Sequence, residues 1–238
     1  MRRAARNMAI ALLYLTLFSL LLLMVYLHFF APEDRDISGE WTAQIDMTGQ
    51  AAVTAYIWLQ DIEAVSVSLK DVESGMGELT VQVDMALERT DRSTGTFRCN
   101  IAPESYENCE QAAYEAYAAL FRELVAERLR MSGYAGDTGA EAVEALVSES
   151  FGMSTVDYLR SCTPALLPPL EELQARYDGS GTYETAEGVL IRQFEAGSSV
   201  QTKAERYIRD ESELILTGEE GAEYSDGYPV IYILKDTE

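Results

Sequence analysis

The chain has 238 residues and a formal net charge of −22 at neutral pH. Residues 1–30 contain three basic and no acidic residues, so the remainder carries 15 Lys and Arg residues against 40 Asp and Glu residues, a net charge of −25. This acidity excludes ordinary nucleic-acid binding, which needs a basic surface, and it disfavours docking on anionic lipid headgroups. About 200 residues are enough for a single hydrophobic core.

The N-terminal segment predicts a membrane anchor. Residues 8–30 contain no residue that is charged at neutral pH, and the basic residues Arg2, Arg3 and Arg6 precede them. A helix of this length measures roughly 35 Å, enough to cross a bilayer, and it is longer than the apolar core of a cleaved signal peptide. By the positive-inside rule, the chain after it is translocated. The predicted layout is a cytoplasmic tail, a transmembrane signal anchor, a stalk and one extracytoplasmic domain, at residues 1–7, 8–30, 31–38 and 39–238.

Strict alternation of apolar and polar residues predicts strands in the next part of the chain, at residues 40–47 and 79–89, with an antiparallel partner at 94–101. Residues 50–60 are predicted as a short helix that begins after Thr48, although a strand is also possible there. The helix would turn a set of larger apolar side chains toward the domain, namely Val53, Ile57 and either Tyr56 or Trp58.

After residue 101 the apolar period changes from 2 to 3.6, which predicts helices. A long helix begins at Pro103 and runs to about Met131, where Gly133 can end it. Thr138 and Glu141 have the spacing of a capping box and predict the start of a second helix, with Val143, Leu146 and Val147 facing inward. Two shorter helices complete a helical insertion at about 103–178.

From residue 179 the period returns to 2, and the turn residues predict five further short strands. They lie at residues 182–185, 189–194, 200–208, 214–217 and 229–235. The total is seven or eight strands in two sets, and neither set can close a core alone. The predicted fold class is therefore α+β: a transmembrane helix followed by a small antiparallel β-barrel or meander with a helical insertion.

Gly39-Glu40-Trp41 stands at the head of the first strand, and Gly188 marks a tight turn in a later hairpin. With the closing strand at 230–234, these features resemble the lipocalin-like barrel domains of membrane-anchored bacterial envelope proteins. The resemblance implies that Gly39 and Trp41 are structural residues at one end of the barrel, and that the barrel could hold a ligand. The terminal strand carries Lys235 where lipocalins have an arginine that stacks on this tryptophan.

The residues that carry chemistry are few. The translocated domain contains no histidine, which removes histidine-dependent catalysis, and no metal or other cofactor is expected. Cys99 and Cys109 could form a disulfide, but buried free thiols are the favoured interpretation. The protein is therefore not expected to be an enzyme, and hydrolysis by a pair of carboxylates is the remaining catalytic alternative.

Six aromatic residues on the predicted helices are candidate ligand-binding residues: Trp58, Tyr56, Tyr106, Tyr114, Tyr117 and Phe121. Their helical spacing is typical of core packing, which is the favoured interpretation, whereas as a lid over the barrel they would line a pocket for an apolar or amphipathic ligand. The sequence thus predicts a membrane-anchored binding or sensing module of the cell envelope. The alternative is a structural or assembly partner of another envelope protein, with a solid barrel and no ligand.

Overall fold

The structure, a computed structural model, describes residues 16–22, 36–60, 66–196, 199–218 and 228–235. Of the predicted anchor at 8–30, only residues 16–22 fall within this part, and they are helical. Within the described ranges, no helix has both the length and the apolar character needed to cross a bilayer.

Eight antiparallel strands form a closed barrel, in which each strand pairs with its neighbour in sequence and the last pairs with the first. The strands are β1 (Gly39–Asp46), β2 (Thr80–Arg89), β3 (Thr94–Ile101), β4 (Gly179–Ala186), β5 (Val189–Ala196), β6 (Ser199–Arg209), β7 (Glu213–Gly218) and β8 (Val230–Leu234). The barrel and its helical insertion confirm the predicted α+β architecture. The closed up-and-down order is compatible with the resemblance to lipocalin-like barrels.

Within the residues that the structure describes, six helices occupy two of the connections between strands. They are α1 (Thr48–Leu59), α2 (Leu69–Met76), α3 (Pro103–Met131), α4 (Ala140–Phe151), α5 (Thr155–Cys162) and α6 (Leu170–Tyr177). The first two helices join β1 to β2, and the other four join β3 to β4. Both connections leave the same end of the barrel, which we call the helical end. The opposite hairpin end contains the start of β1 and the short turns at residues 90–93, 187–188 and 210–212.

The hydrophobic core fills the barrel and continues between its helical end and the helices. One cluster joins inward-facing strand residues such as Met85 and Leu190 to helix residues such as Ala113 and Leu173. A second, smaller cluster of Ala126, Val143 and Val147 holds α4 against α3. The insertion is therefore packed onto the barrel rather than attached by its ends alone.

Helix α1 buries a different face from the one that the sequence predicts, although Tyr56, one of the two alternatives for that face, is half-buried against the core. Val53 and Ile57 are exposed, with 45% and 59% of their surface accessible, and Trp58 is 39% accessible. The buried face consists of small side chains together with one leucine: Ala51, Ala52, Ala55 and Leu59. Alanine allows the helix to approach its neighbours closely, whereas the larger side chains would hold it away, and this steric difference overturns the prediction from hydrophobicity.

Two predicted caps are also wrong. Thr48 does not cap α1, because its Oγ1 accepts a hydrogen bond from the Leu79 N–H at 3.0 Å. Thr138 does not cap α4, which begins after Gly139 with no side-chain cap, and Leu146 on that helix is exposed rather than inward. In each case the residue type suits a helix start, but packing against the rest of the domain determines where the helix begins and which face it buries.

Helix α2 was not predicted, although the sequence contains a signal for it. The Ser68 Oγ accepts a hydrogen bond from the Asp71 N–H, and the Asp71 carboxylate accepts one from the Ser68 N–H, both at 3.2 Å. This reciprocal pair is a capping box, in which aspartate takes the place of the usual glutamate or glutamine. The helix is short and largely polar, so its apolar pattern alone gave no indication.

Candidate functional site

The hairpin end of the barrel is closed by Trp41, which is fully buried. Its indole Nε1–H donates a hydrogen bond to the Ile37 carbonyl at 3.0 Å, and the guanidinium of Arg209 lies 4.7 Å from the ring centroid. Gly39 has a φ of +143°, and a Cβ there would lie 2.7 Å from a Leu234 methyl group. Gly39 and Trp41 therefore both lie at this closed end.

The cation over Trp41 comes from the end of β6, not from the terminal strand. Lys235, the residue that the resemblance places at this position, instead lies outside the barrel, where its Nζ is 3.0 Å from the Asp84 carboxylate. The arrangement keeps a buried tryptophan under an arginine, as in the lipocalin pattern, but supplies the arginine from Arg209. A cation over a buried indole face contributes on the order of 1–2 kcal/mol.

The centre of the barrel contains a buried ion pair between Arg192 on β5 and Glu205 on β6. The guanidinium donates from both Nε and Nη2 to the same carboxylate oxygen, at 2.8 and 2.5 Å. Only 6% and 1% of the two side chains are accessible. Each residue occupies an inward position of its strand, and the register places Arg192 opposite Lys203, so the two partners are diagonal neighbours.

The Arg192 side chain reaches across the barrel. Its Nη1 lies 3.4 Å from the Cys99 sulfur on β3 and 4.0 Å from the Met85 sulfur on β2. Its guanidinium also lies 5.6 Å from the ring centroid of Phe97 and 5.5 Å from that of Phe194. These contacts place protein atoms in the middle of the space where a barrel of this kind would hold a ligand.

The second carboxylate oxygen of Glu205 faces the helical end, where it has two partners. The Tyr228 hydroxyl donates a hydrogen bond to it, and the Lys203 Nζ lies 3.3 Å away. The same ammonium group lies 5.0 Å from the ring centroid of Tyr228. The carboxylate is thus fully paired, as a buried charge must be if it is not to destabilise the fold.

The pKa values agree with an ionised pair. Burial opposes the charge of Glu205, but the charges of Arg192 and Lys203 and the hydrogen bond from Tyr228 outweigh it, so the pKa of Glu205 lies below its ordinary value. Burial also opposes the charge of Arg192, whereas the neighbouring carboxylate raises the pKa of the guanidinium. For Tyr228, burial followed by the Glu205 charge raises the pKa, so the phenol stays protonated and can donate.

A cavity of about 30 Å³ remains at the helical end, beside the Glu205 carboxylate. Its walls include Tyr177 from α6 and the aromatic residues Phe194, Tyr228 and Tyr232. This volume has room for ordered water, whereas pockets for drug-sized ligands measure about 300–1,000 Å³.

The six candidate aromatic residues lie elsewhere, in two groups. On α3, Tyr114 and Tyr117 are buried and Phe121 is half-buried in the core, and the Tyr106 hydroxyl donates to the Pro168 carbonyl at 3.0 Å. On α1, Tyr56 is half-buried against the core, while Trp58 is exposed. Among the described residues that line the small cavity, none belongs to this set.

A shallow groove of about 520 Å³ runs along the outside of the barrel, between the start of β2 and the first turns of α3. Glu78, Glu104 and the buried Cys109 are among the residues that line it. Burial and then the charge of Asp46 raise the pKa of this thiol to about 11, so it is protonated at neutral pH and is a poor nucleophile.

All three cysteines are free, with Cys99 and Cys109 buried and Cys162 exposed, so the predicted disulfide alternative is not formed. Within the described part of the chain, no group of three or more His, Cys, Asp and Glu side chains is arranged to hold a metal ion.

The sequence prediction missed the ion pair, although a signal for it exists. Arg192 alternates with Leu190 and Phe194, and Glu205 alternates with Tyr207, so both charges occupy positions that otherwise carry core residues. Two opposite charges on inward positions of adjacent predicted strands indicate a buried pair.

A scan against protein-family models finds no match for the chain, and comparisons with curated proteins and with solved structures find none either.

Proposed function

We propose that the protein is a membrane-anchored interaction module of the cell envelope, in which a solid barrel carries a helical surface that binds another protein. This is the second of the two functions that the sequence predicts. The observation that supports it most directly is the position of the Arg192 side chain, which extends from β5 to sulfur atoms on β2 and β3. A barrel that is crossed in this way serves as a rigid support better than as a container.

The proposed contact surface is the α1 face, which consists of Val53, Ile57 and Trp58. These three large apolar side chains are exposed on one side of a helix whose other side is anchored in the core by Leu59. Tryptophan is among the residues most often found at the energetic centre of protein interfaces. Clustered exposed apolar side chains on a rigid element are a common mark of a protein-binding site.

Ligand binding inside the barrel, the first function predicted from the sequence, has less support. A ligand larger than one water would have to displace the pair formed by Arg192 and Glu205, and both charges would then need new partners. The anchor at residues 8–30 and the extracytoplasmic location stay predictions from the sequence, and they are part of the proposal.

Site-specific photo-crosslinking in intact source cells tests the α1 face. A photoreactive amino acid replaces Ile57 in the full chain, and a matched control replaces Thr182, which is exposed on β4 away from the helices. We expect one discrete protein adduct from position 57 and none from position 182. Equal or diffuse crosslinking at both positions would contradict the proposed surface.

A further inference from the structure

Four isoleucines form an exposed apolar patch on the outer wall of the barrel, which the proposed function does not use. Ile208 on β6 lies directly opposite Ile215 on β7, which lies directly opposite Ile231 on β8, and Ile233 follows on the same strand. Three of them are 63%, 48% and 43% accessible, for Ile208, Ile231 and Ile233. Directly opposed side chains on neighbouring strands are in contact range, so these residues form one continuous surface, the isoleucine patch.

The four isoleucines form an uncharged surface within a strongly acidic domain. The charged side chains near its edges are Arg206 and Glu213 on the strands, Asp210 and Glu211 in the turn after β6, and the ion pair between Lys235 and Asp84. By contrast, residues 31–238 carry a net charge of −25. Because acidic residues lie at its rim, the patch is suited to a surface that is apolar and carries no net negative charge.

The position of the patch is fixed relative to the point where the chain enters the barrel. Ile37 is buried, and Ser38 donates hydrogen bonds from its N–H and its hydroxyl to the Asp36 carboxylate, at 2.9 and 2.6 Å. Asp36 also lies 3.4 Å from the Arg89 guanidinium, so the entering chain is held at the hairpin end. The register pairs Thr42 on β1 with Ile233, which places the entry point beside the patch.

The chain between residues 30 and 36 is short. Even when fully extended it spans roughly 20 Å. If residues 8–30 cross the membrane, residue 36 at the hairpin end must stay within that distance of the bilayer. Ile208 and Ile233 each lie one residue from the hairpin end of their strand, so the patch begins on the part of the wall nearest the bilayer.

We infer that the isoleucine patch rests on the lipid bilayer that holds the anchor, at its zwitterionic interface. The inference rests on the proposed membrane anchor. A second copy of the chain is a poorer occupant, because residues 31–238 carry a net charge of −25 in each copy and the two copies repel one another on close approach.

The test uses the full chain in phosphatidylcholine nanodiscs, with an environment-sensitive fluorophore at one cysteine. Cys162 is first replaced by serine, and the two buried cysteines do not react in the folded protein. The label is placed at Ile231→Cys or, as a matched control, at Thr182→Cys on β4, across the barrel from β8. Quenching by lipids with a nitroxide near the headgroup reports proximity to the bilayer. An apolar face that enters an interface lies about 5–10 Å into it, so we expect quenching at position 231 to exceed that at position 182 by about threefold or more.

Further variants separate the possible failures. Ile208→Ser together with Ile215→Ser should lower quenching at position 231 to the level at position 182, while the melting curve stays unchanged. Resistance of the full chain to extraction from membranes by alkaline carbonate tests the anchor by itself. Retention of the chain with equal quenching at both positions would overturn the inference and leave the anchor standing, whereas extraction would overturn both. Energy transfer between labels at position 231 on two copies, without lipid quenching, would show that a second copy covers the patch and would also overturn the inference.

Discussion

The ion pair in the barrel predicts strongly coupled effects of substitution on stability. Glu205→Leu leaves the Arg192 guanidinium buried with sulfur atoms and aromatic rings as its remaining partners, and we expect it to lower the free energy of unfolding by about 5 kcal/mol. Arg192→Met leaves a carboxylate that still has Lys203 and Tyr228, so its cost should be smaller, about 3 kcal/mol.

The double variant, Glu205→Leu with Arg192→Met, removes both charges and fills much of the same volume with apolar atoms. Its main loss is the acceptor of the Tyr228 hydroxyl, which contributes about 1 kcal/mol, together with imperfect packing. We therefore expect the double variant to be more stable than the Glu205→Leu variant, with a coupling energy of about 3 kcal/mol or more between the two sites.

Urea unfolding of residues 32–238 measures these differences. The buried Trp41 provides a fluorescence signal for the hydrophobic core, and far-ultraviolet circular dichroism reports the backbone. With a denaturant slope of about 2 kcal/mol per molar urea, a loss of 4 kcal/mol moves the midpoint by about 2 M. Additive single effects, or single losses below about 1 kcal/mol, would show that the pair is hydrated and not part of a solid core.

Three further predictions concern pH, the closed end of the barrel and the exposed helix. The folded-state pKa of Glu205 lies below its unfolded value of about 4.3, so the carboxylate stabilises the fold fully above that pH. This contribution to stability is lost as the pH falls through the folded-state value. Acid titration followed by circular dichroism should therefore show a smaller loss of stability in Glu205→Gln than in the wild type. Arg209→Leu removes the cation from the Trp41 ring and should lower the free energy of unfolding by about 1–2 kcal/mol. Lys235→Ala breaks a partly exposed ion pair and should lower it by less than about 1 kcal/mol. Equal losses in urea titrations would contradict the assignment of Arg209 alone as the cation that stabilises Trp41. Ile57→Ser should change the free energy of unfolding by less than about 0.5 kcal/mol, because the side chain is exposed. The same substitution should abolish the crosslink from a photoreactive group at position 53. A large loss of stability would mean that α1 buries this face.

Most of the architecture is readable from local patterns in the sequence. The alternation in β2 and β3 and the helical period from Pro103 to Met131 each come from one element burying one face, which hydrophobicity reports directly. Gly152, with a φ of +72°, ends α4 as a glycine at that position predicts.

What the sequence did not predict depends on contacts between distant segments. Helix α1 is apolar around most of its circumference, so only the space available at the barrel end determines which side is buried. The arginine over Trp41 comes from β6, whereas the resemblance to lipocalin-like barrels predicts a cation from the terminal strand. Arg192 and Glu205 lie on predicted strands, and the alternation places both of them inside, but their pairing depends on the register between two strands, which the sequence analysis did not predict.

Native mass spectrometry of residues 32–238, purified from membranes of the source cells without removal of lipid, tests the central claim that the barrel is solid. We predict a single mass equal to that of the polypeptide, from a compact charge-state distribution. A reproducible adduct of one small molecule at full occupancy would contradict the claim, provided that the molecule dissociates when the protein unfolds, as followed by Trp41 fluorescence. That result would establish a ligand-binding barrel.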